Sequence, residues 1–255
     1  MILSRRACAL CALGAAALGA AVAGVNVVRG ALFALAPGVG GMLAASLAVV
    51  ILSLAAVAPP ALGVARERAW SEPGPVEAWL LLVSATPALI VGMTALVWFV
   101  ERAGLGFSLV SGALGLALMN LPFAALGALQ AVRQDERSAG TGALALGVPE
   151  ARVFRDIVLP ASAGALARVA LRAAARAFGE TAVLMFTAGV EPASASPRGL
   201  MGGSATLAVR LWYLTSQGQG TGAQARACAL WLTVIGVALA LAGRPREAPV
   251  TERGR

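Results

Sequence analysis

Uninterrupted apolar runs of about 20 residues recur along this chain, and they restrict its fold more than any other feature. A helix of that length is long enough to cross the hydrocarbon core of a bilayer. Hydrophobic residues make up 59% of the sequence and charged residues only 13%, too few polar groups to cover a soluble domain. The sequence therefore predicts an all-α, polytopic membrane protein with about six transmembrane helices. The predicted spans are residues 7–28, 39–65, 75–100, 104–129, 161–187 and 223–243.

These spans predict a simple division of the chain. Residues 1–38 form an N-terminal transmembrane helix and outer loop, residues 39–243 the main transmembrane domain, and residues 244–255 a tail. The first apolar run is longer than the core of a signal peptide, so we expect a retained helix. Pro59 and Pro60 lie late in the second span, and we expect that helix to kink or end there.

Missing residue types exclude several functions. The sequence has no histidine, and all 20 basic residues are arginine. Without lysine there is no phosphate-binding loop of the GxxxxGK[ST] type and no Schiff-base chemistry. Cys8, Cys11 and Cys228 have no further ligands nearby to complete a zinc site. We expect no catalytic residue, no metal site and no cofactor bound by this chain.

The arginines are distributed unevenly between the two sides of the predicted membrane. Twelve lie in segments on the side of the N-terminus and four in segments on the opposite side. Such an excess marks the cytoplasmic side, and it explains the net charge of +8 better than nucleic-acid binding does. Both termini and the 130–160 insert are therefore predicted to be cytoplasmic, with residues 188–222 facing outward. Within that outer segment, the spacing of Leu207, Leu211 and Leu214 predicts a short helix with Trp212 at headgroup depth.

The cytoplasmic insert contains a second pattern, a short amphipathic hairpin. Gly147 can adopt the left-handed conformation that ends a helix, and Pro149 is placed to open the next one. Such a hairpin could fit a partner's groove or be an ordinary interfacial loop, and the pattern alone leaves both open. The apolar residues at helical spacing on its two sides are Ala143, Leu144, Leu146, Val153, Phe154 and Ile157.

A stripe of charge crosses the fifth span. Arg168, Arg172, Arg176 and Glu180 recur every four residues, which places them on one face of a helix. Charges in a membrane helix need partners, water or a function. Arg176 and Glu180 can partly neutralise each other, and the net positive stripe suits a doubly charged oxyanion in an internal path. Alternatively, the side chains of Arg168 and Arg172 extend to the cytoplasmic headgroups.

Two motifs resemble those of type I ABC importer permeases. Gly147, nine further residues and then Ile157-Val-Leu-Pro160 resemble the G and I-x-LP parts of that family's coupling loop. Thr141 and Gly142 stand where the family has Glu and Ala. The resemblance implies that Ala143, Leu144, Leu146, Gly147, Phe154, Ile157 and Pro160 couple the chain to an ATPase.

The second motif, Arg176-Ala-Phe-Gly-Glu-Thr-Ala182, resembles the RAxGETA signature of permeases in phosphate-specific importers, with Val183 where the family usually has Pro. The segment from Thr206 to Tyr213 resembles the second of the two phosphate permeases. The resemblance implies a phosphate path containing Arg172, Arg176, Glu180 and Thr181. Related permeases for sulfate, molybdate or phosphonate remain an alternative, and a channel or transporter without ATP is a less favoured one.

The resemblance also implies the surroundings of the chain. They are the lipid of a bacterial cytoplasmic (inner) membrane, a second permease subunit and an external phosphate-binding protein. Two ATPase subunits at the cytoplasmic loop would use ATP and Mg. An intramembrane enzyme is disfavoured, because the sequence has no histidine and no paired intramembrane carboxylates.

Overall fold

A computed structural model describes residues 39–135, 140–190, 200–203, 205–218 and 223–244. The regular structure in those residues is helical, which confirms the predicted all-α class. The first predicted span, 7–28, and nearly all of the tail lie outside the described residues. The helices are α1 (Val39–Arg68), α2 (Pro75–Ser84), α3 (Ala88–Ala95), α4 (Leu109–Asp135), α5 (Thr141–Ala145), α6 (Glu150–Val153), α7 (Leu159–Phe178), α8 (Ala182–Thr187), α9 (Leu207–Ser216) and α10 (Ala223–Ala242).

Two stretches of π-helix extend these elements. Leu96–Arg102 continues α3, and Phe154–Val158 joins α6 to α7. By length and composition, three helices in the described residues can cross a membrane: α1, α4 and the continuous unit Glu150–Phe178. A fourth, shorter apolar helix is Ala227–Ala242 within α10. The chain is therefore a multi-pass membrane protein.

The helix α1 does not end at Pro59 and Pro60, so the expected end there is wrong. It continues for 30 residues to Arg68. Buried Val57 and Ala61 lie on either side of the prolines and pack with Ala124 and Ala125 of α4. Packing against a neighbouring helix supports the turns on both sides and offsets the missing N–H groups.

The third predicted span is not one straight helix. The axes of α2 and α3 meet at 92° across a short break that contains Pro87, which makes the pair a broken span or a re-entrant loop. Proline restricts the residue before it to extended conformations, and this favours a helix end at that point.

The fifth predicted span is also interrupted. α7 ends at Phe178, and α8 begins again at Ala182. The expectation of continuous helix over residues 161–187 is wrong, because Gly179, Glu180 and Thr181 form a turn between two helices.

One apolar core unites α1, α4, α7, α8, α9 and α10. A polar contact within it joins α1 to the start of α9: the Ser46 hydroxyl donates to the Met42 carbonyl and accepts from the Leu207 N–H, at 2.8 Å and 2.9 Å. The predicted short helix that contains Leu207, Leu211 and Leu214 is confirmed as α9. Its Leu207 and Leu214 are buried, and Trp212 is 46% exposed.

Candidate substrate path and coupling surface

Glu180 shapes the turn between α7 and α8. Its Oε1 accepts a hydrogen bond of 3.0 Å from the backbone N–H of Ala182, the first residue of α8. The first N–H groups of a helix have no partner within the helix, so a carboxylate there satisfies one of them. The adjacent Thr181 carbonyl accepts from the Met185 N–H at 2.9 Å, which starts α8.

Arg176 lies one turn before this break, and an aromatic ring sets its position. Its guanidinium carbon is 5.7 Å from the centroid of the Phe123 ring on α4, a cation–π contact. In the described part of the chain, Arg176 forms no ion pair. The expected neutralisation of Arg176 by Glu180 is therefore wrong. Glu180 lies beyond the end of α7, where helical i,i+4 spacing no longer applies.

The end of α10 lies beside Arg172. The apolar part of α10 is Ala227–Ala242. Gly243 follows the last residue of α10, and a Cβ placed there would lie 2.9 Å from Cγ of Arg172. Arg172 therefore lies next to the end of this apolar segment. Arg176 lies one turn, about 6 Å, further along α7.

The side chains of Arg168 and Arg172 extend back toward the start of α7. Nη1 of Arg168 is 3.6 Å from where a Cβ on Gly164 would lie, and Nε of Arg172 donates to the Arg168 carbonyl at 3.4 Å. This arrangement matches side chains that reach toward the membrane boundary. The four charges predicted on one stripe thus have different surroundings: Arg168 and Arg172 extend along α7, Arg176 lies near Phe123, and Glu180 lies in the turn before α8.

A groove of about 550 Å³ opens between α7, α9 and α10. Thr181 and Gly179 from the turn line it, together with Trp212, Thr215 and Thr233. Arg176 and Glu180 are not among its lining residues. The structure therefore brings Thr181, but not the two charges beside it, to this surface.

Asn120 is a buried polar residue that the predicted path did not include. It is fully buried on α4, where its side-chain amide donates to the Ala173 carbonyl of α7 at 3.4 Å and its Oδ1 has no hydrogen-bond partner. An asparagine within an apolar span, two residues before Pro122, was the available sequence signal. It places an unused acceptor between the two helices that also hold Phe123 and Arg176.

Within the insert of residues 130–160, residues 141–160 fold as the predicted helical hairpin. α5 ends at Ala145, Gly147 two residues later has a left-handed φ of +80°, and Pro149 is the N-cap residue of α6. The N–H groups of Gly147 and Val148 donate to the carbonyls of Leu144 and Ala143, at 2.9 Å and 3.2 Å. Only glycine adopts this backbone conformation without strain. Because the sequence resemblance implies a coupling role for this segment, we call residues 141–160 the coupling hairpin.

The sequence suggested that the apolar residues of the coupling hairpin are available together to a partner. In the structure they do not form one exposed surface. Leu146 is 85% exposed, whereas Phe154 is only 7% exposed and packs against Trp70 in the chain's own interior. Ala143, Leu144 and Ile157 are half-buried against the same internal cluster, and Pro160 is exposed. The expectation that Phe154 is available to a partner's groove is wrong, because the loop after α1 already covers it.

Arg133 fastens that loop in place. One terminal nitrogen, Nη2, donates to the carbonyls of Arg68 and Ser71 at 3.2 Å and 2.7 Å, and to the Glu77 carboxylate at 2.8 Å. These contacts join the ends of α1 and α4 to the start of α2. No local spacing in the sequence relates Arg133 to Glu77, which lies 56 positions earlier, so the pattern does not predict this contact.

Comparison with known proteins identifies the class to which this fold and hairpin belong. Residues 74–246, about two thirds of the chain, match the family described as binding-protein-dependent transport system inner membrane component. The chain belongs to this family, whose members are ABC importer permeases. A permease of this kind is a transport subunit, and in general it works with an ATPase and a substrate-binding protein.

Individual relatives cover parts of the chain. The probable ABC transporter permease protein YqgI of Bacillus subtilis is 30% identical over 155 residues, covering 56% of this chain and 53% of its own. The phosphate transport system permease protein PstA 2 of Mycobacterium tuberculosis is 35% identical over 108 residues, 42% of this chain and 36% of its own. PstA of Xylella fastidiosa is 36% identical over 109 residues, 42% and 37% respectively. The chain thus spans about half the length of these relatives or less.

Proposed function

We propose that this chain is one of two permease subunits of an ATP-driven importer that carries inorganic phosphate across the cytoplasmic membrane of a bacterium. The relatives named as phosphate permeases and the motif from Arg176 to Ala182 support phosphate. The observation that carries the proposal is the environment of the Arg176 side chain. It is a half-buried cation on a helix long and apolar enough to cross a membrane, it lies 5.7 Å from the centroid of an aromatic ring, and no described carboxylate forms an ion pair with it.

The chemistry of Arg176 fits an oxyanion. A guanidinium presents a planar fork of N–H donors that matches two oxygens of phosphate, and it stays charged at all physiological pH values. Glu180 holds the turn that follows, so its carboxylate supports the path without neutralising it. Thr181 contributes a hydroxyl to the groove between α7, α9 and α10, while Arg172 would meet phosphate only at the boundary of the membrane.

Energy would enter through the coupling hairpin. Leu146 is a large, exposed apolar side chain on a polar insert, and burying it in a cleft of an ATPase would contribute about 1.5–3 kcal/mol. Two ATPase subunits would use ATP and Mg, which this chain does not bind. The second permease would complete the path, an external phosphate-binding protein would deliver the substrate, and both termini would be cytoplasmic.

The test is phosphate uptake by the complete transporter carrying Arg176→Gln, with Arg176→Lys and Arg66→Gln as comparisons. Losing one charge-assisted contact to the anion should lower uptake at limiting phosphate by about tenfold to a hundredfold. Arg176→Lys should retain part of the activity, because it keeps the charge but not the fork. Arg66→Gln, at an exposed arginine in the last turn of α1, removes the same charge away from the path and should leave uptake unchanged.

Competition identifies the substrate in the same assay. Excess phosphate should block uptake, and sulfate, molybdate or phosphonate should not. Strong inhibition by one of those anions would indicate that this anion, and not phosphate, is the substrate. Uptake that persists without ATP would argue for a channel or a secondary transporter, and normal uptake by Arg176→Gln would remove Arg176 from the path.

A further inference from the structure

Asn120 is a buried polar side chain that the proposed path does not use. Its exposed fraction is 0%, and its Oδ1 accepts no hydrogen bond from the described residues. Leaving a buried acceptor unsatisfied costs stability. A leucine has the same branching and the same number of side-chain heavy atoms, and it would avoid that cost. Packing alone therefore does not explain an asparagine at this position.

The donor side of the same amide joins α4 to α7. Nδ2 of Asn120 donates to the carbonyl of Ala173 at 3.4 Å, a long hydrogen bond across the two helices. The helices are also close two turns further along α4, where a Cβ on Gly127 would lie 2.8 Å from Cγ1 of Val169. In a membrane protein, polar side chains of this kind bind neighbouring helices to each other. Asn120 therefore contributes to holding α7 against α4.

A second contact joins the same two helices beside this hydrogen bond. Phe123 follows Asn120 by three residues on α4. Arg176 follows Ala173 by three residues on α7. Residues three apart are neighbours on the surface of a helix. The contact between Phe123 and Arg176, with 5.7 Å from the ring centroid to the guanidinium carbon, therefore adjoins that hydrogen bond on both helices.

The backbone of α4 is weakened between these two contacts. Pro122 lies between Asn120 and Phe123, and proline has no N–H to donate, so one helical hydrogen bond is missing at this turn. Contacts with α7 then matter more for the position of the Phe123 ring than they would in a regular helix. The hydrogen bond from Asn120 is such a contact.

We propose that Asn120 positions Arg176 for the transported anion. The amide of Asn120 holds α7 against α4 at Ala173, and this keeps the Arg176 guanidinium beside the Phe123 ring. Asn120 itself does not touch the anion. The inference rests on the proposed function, because Arg176 is the residue through which Asn120 acts. Without the amide, α7 is freer to move against α4, and Arg176 spends less time in the orientation that meets the anion.

The experiment measures two properties of the complete transporter carrying Asn120→Leu: phosphate uptake at limiting phosphate and the thermal midpoint of unfolding. Uptake should fall by about threefold to tenfold, the range expected for one hydrogen bond between membrane helices. The midpoint should stay the same or rise, because the unsatisfied acceptor is removed. The matched control is Ser162→Ala, at another fully buried side chain whose oxygen has no described partner. It should leave uptake unchanged.

A double variant tests whether Asn120 acts through Arg176. Adding Asn120→Leu to Arg176→Lys should lower uptake little further, because lysine has no planar fork to orient.

Three results would overturn the proposal: wild-type uptake by Asn120→Leu, losses that multiply in full in the double variant, or a fall in the midpoint that accompanies the fall in uptake. The last result would assign Asn120 to stability alone. Normal uptake by Arg176→Gln is a different failure, since it would remove the proposed path and this inference with it. Reduced uptake by Arg176→Gln with normal uptake by Asn120→Leu would overturn only the role of Asn120.

Discussion

The rings of Trp70 and Phe154 meet edge to face, with centroids 6.1 Å apart and planes at 67°. Trp70 lies in the loop after α1, and Phe154 begins the π-helical turn that joins the coupling hairpin to α7. Phe154 directly follows the second helix of the hairpin, α6, and packs against Trp70 in the loop after α1. Through this contact the hairpin packs as part of the transmembrane domain. Motion imposed on the hairpin would therefore reach α1 directly as well as α7.

Phe154→Ala should destabilise the protein by about 3–5 kcal/mol, as expected when a buried aromatic side chain leaves a cavity. The measurement is the denaturant or thermal midpoint of the purified transporter. Phe154→Leu retains most of the volume and should cost clearly less. An unchanged midpoint for Phe154→Ala would mean that Phe154 is not held in the chain's own interior.

Leu146→Ser should have the opposite effects to Phe154→Ala: stability should be kept and binding of the ATPase should be lost. Leu146 is 85% exposed, so its side chain adds little to the stability of the chain. The free energy of unfolding should stay within about 0.5 kcal/mol of the wild-type value. Copurification of the ATPase should fall, because a large apolar side chain at the contact is lost. The exposed Ala151→Ser on α6 is the matched control. Full retention of ATPase and uptake would place the coupling contact elsewhere.

Gly147→Val should weaken both the hairpin and ATPase copurification. The φ of +80° is unfavourable for a β-branched residue, although no atom lies within 4 Å of where a Cβ would be. The expected cost is backbone strain, about 1–2 kcal/mol. Gly147→Asn tests this cause, since asparagine tolerates left-handed backbone and should retain most of the coupling. Equal loss in both variants would indicate that a partner, and not the backbone, excludes the side chain.

Arg133→Gln should lower stability by about 1–3 kcal/mol, since it breaks charge-assisted hydrogen bonds to two carbonyls and a carboxylate. Glu77→Gln should cost less, because Arg133 keeps its two carbonyl acceptors. Thermal inactivation of the complete transporter measures both. Exchanging the two residues should fail to restore stability, since glutamate at position 133 cannot donate to the carbonyls of Arg68 and Ser71.

Local signals were predictable from the sequence, and long-range packing was not. A glycine followed by Pro149 indicated a left-handed turn, and the turn at Gly147 depends only on neighbouring residues. The burial of Phe154 depends on Trp70, which is 84 positions away in the chain, and helical spacing does not show which element covers a given face. For the same reason the prolines of α1 suggested a break that packing against α4 prevents.

In the candidate path, too, the local signals were predictable from the sequence and the long-range contacts were not. The motif identified Arg176 and Glu180 as special residues, but regular spacing suggested that they neutralise each other on one helix. The turn at Gly179 separates them, and the ring that holds Arg176 comes from α4, 53 positions earlier. Asn120 was overlooked because a single amide in an apolar run has no partner in the neighbouring sequence.

In the proposed path, the surroundings of Arg176 would also affect how an anion binds and leaves. A guanidinium paired with an internal carboxylate must give up that bond each time an anion arrives and regain it each time one leaves. Arg176 has an aromatic ring nearby, with 5.7 Å between the guanidinium carbon and the Phe123 centroid, and it has no carboxylate partner among the described residues. An anion at Arg176 would therefore bind and leave without displacing an internal counterion.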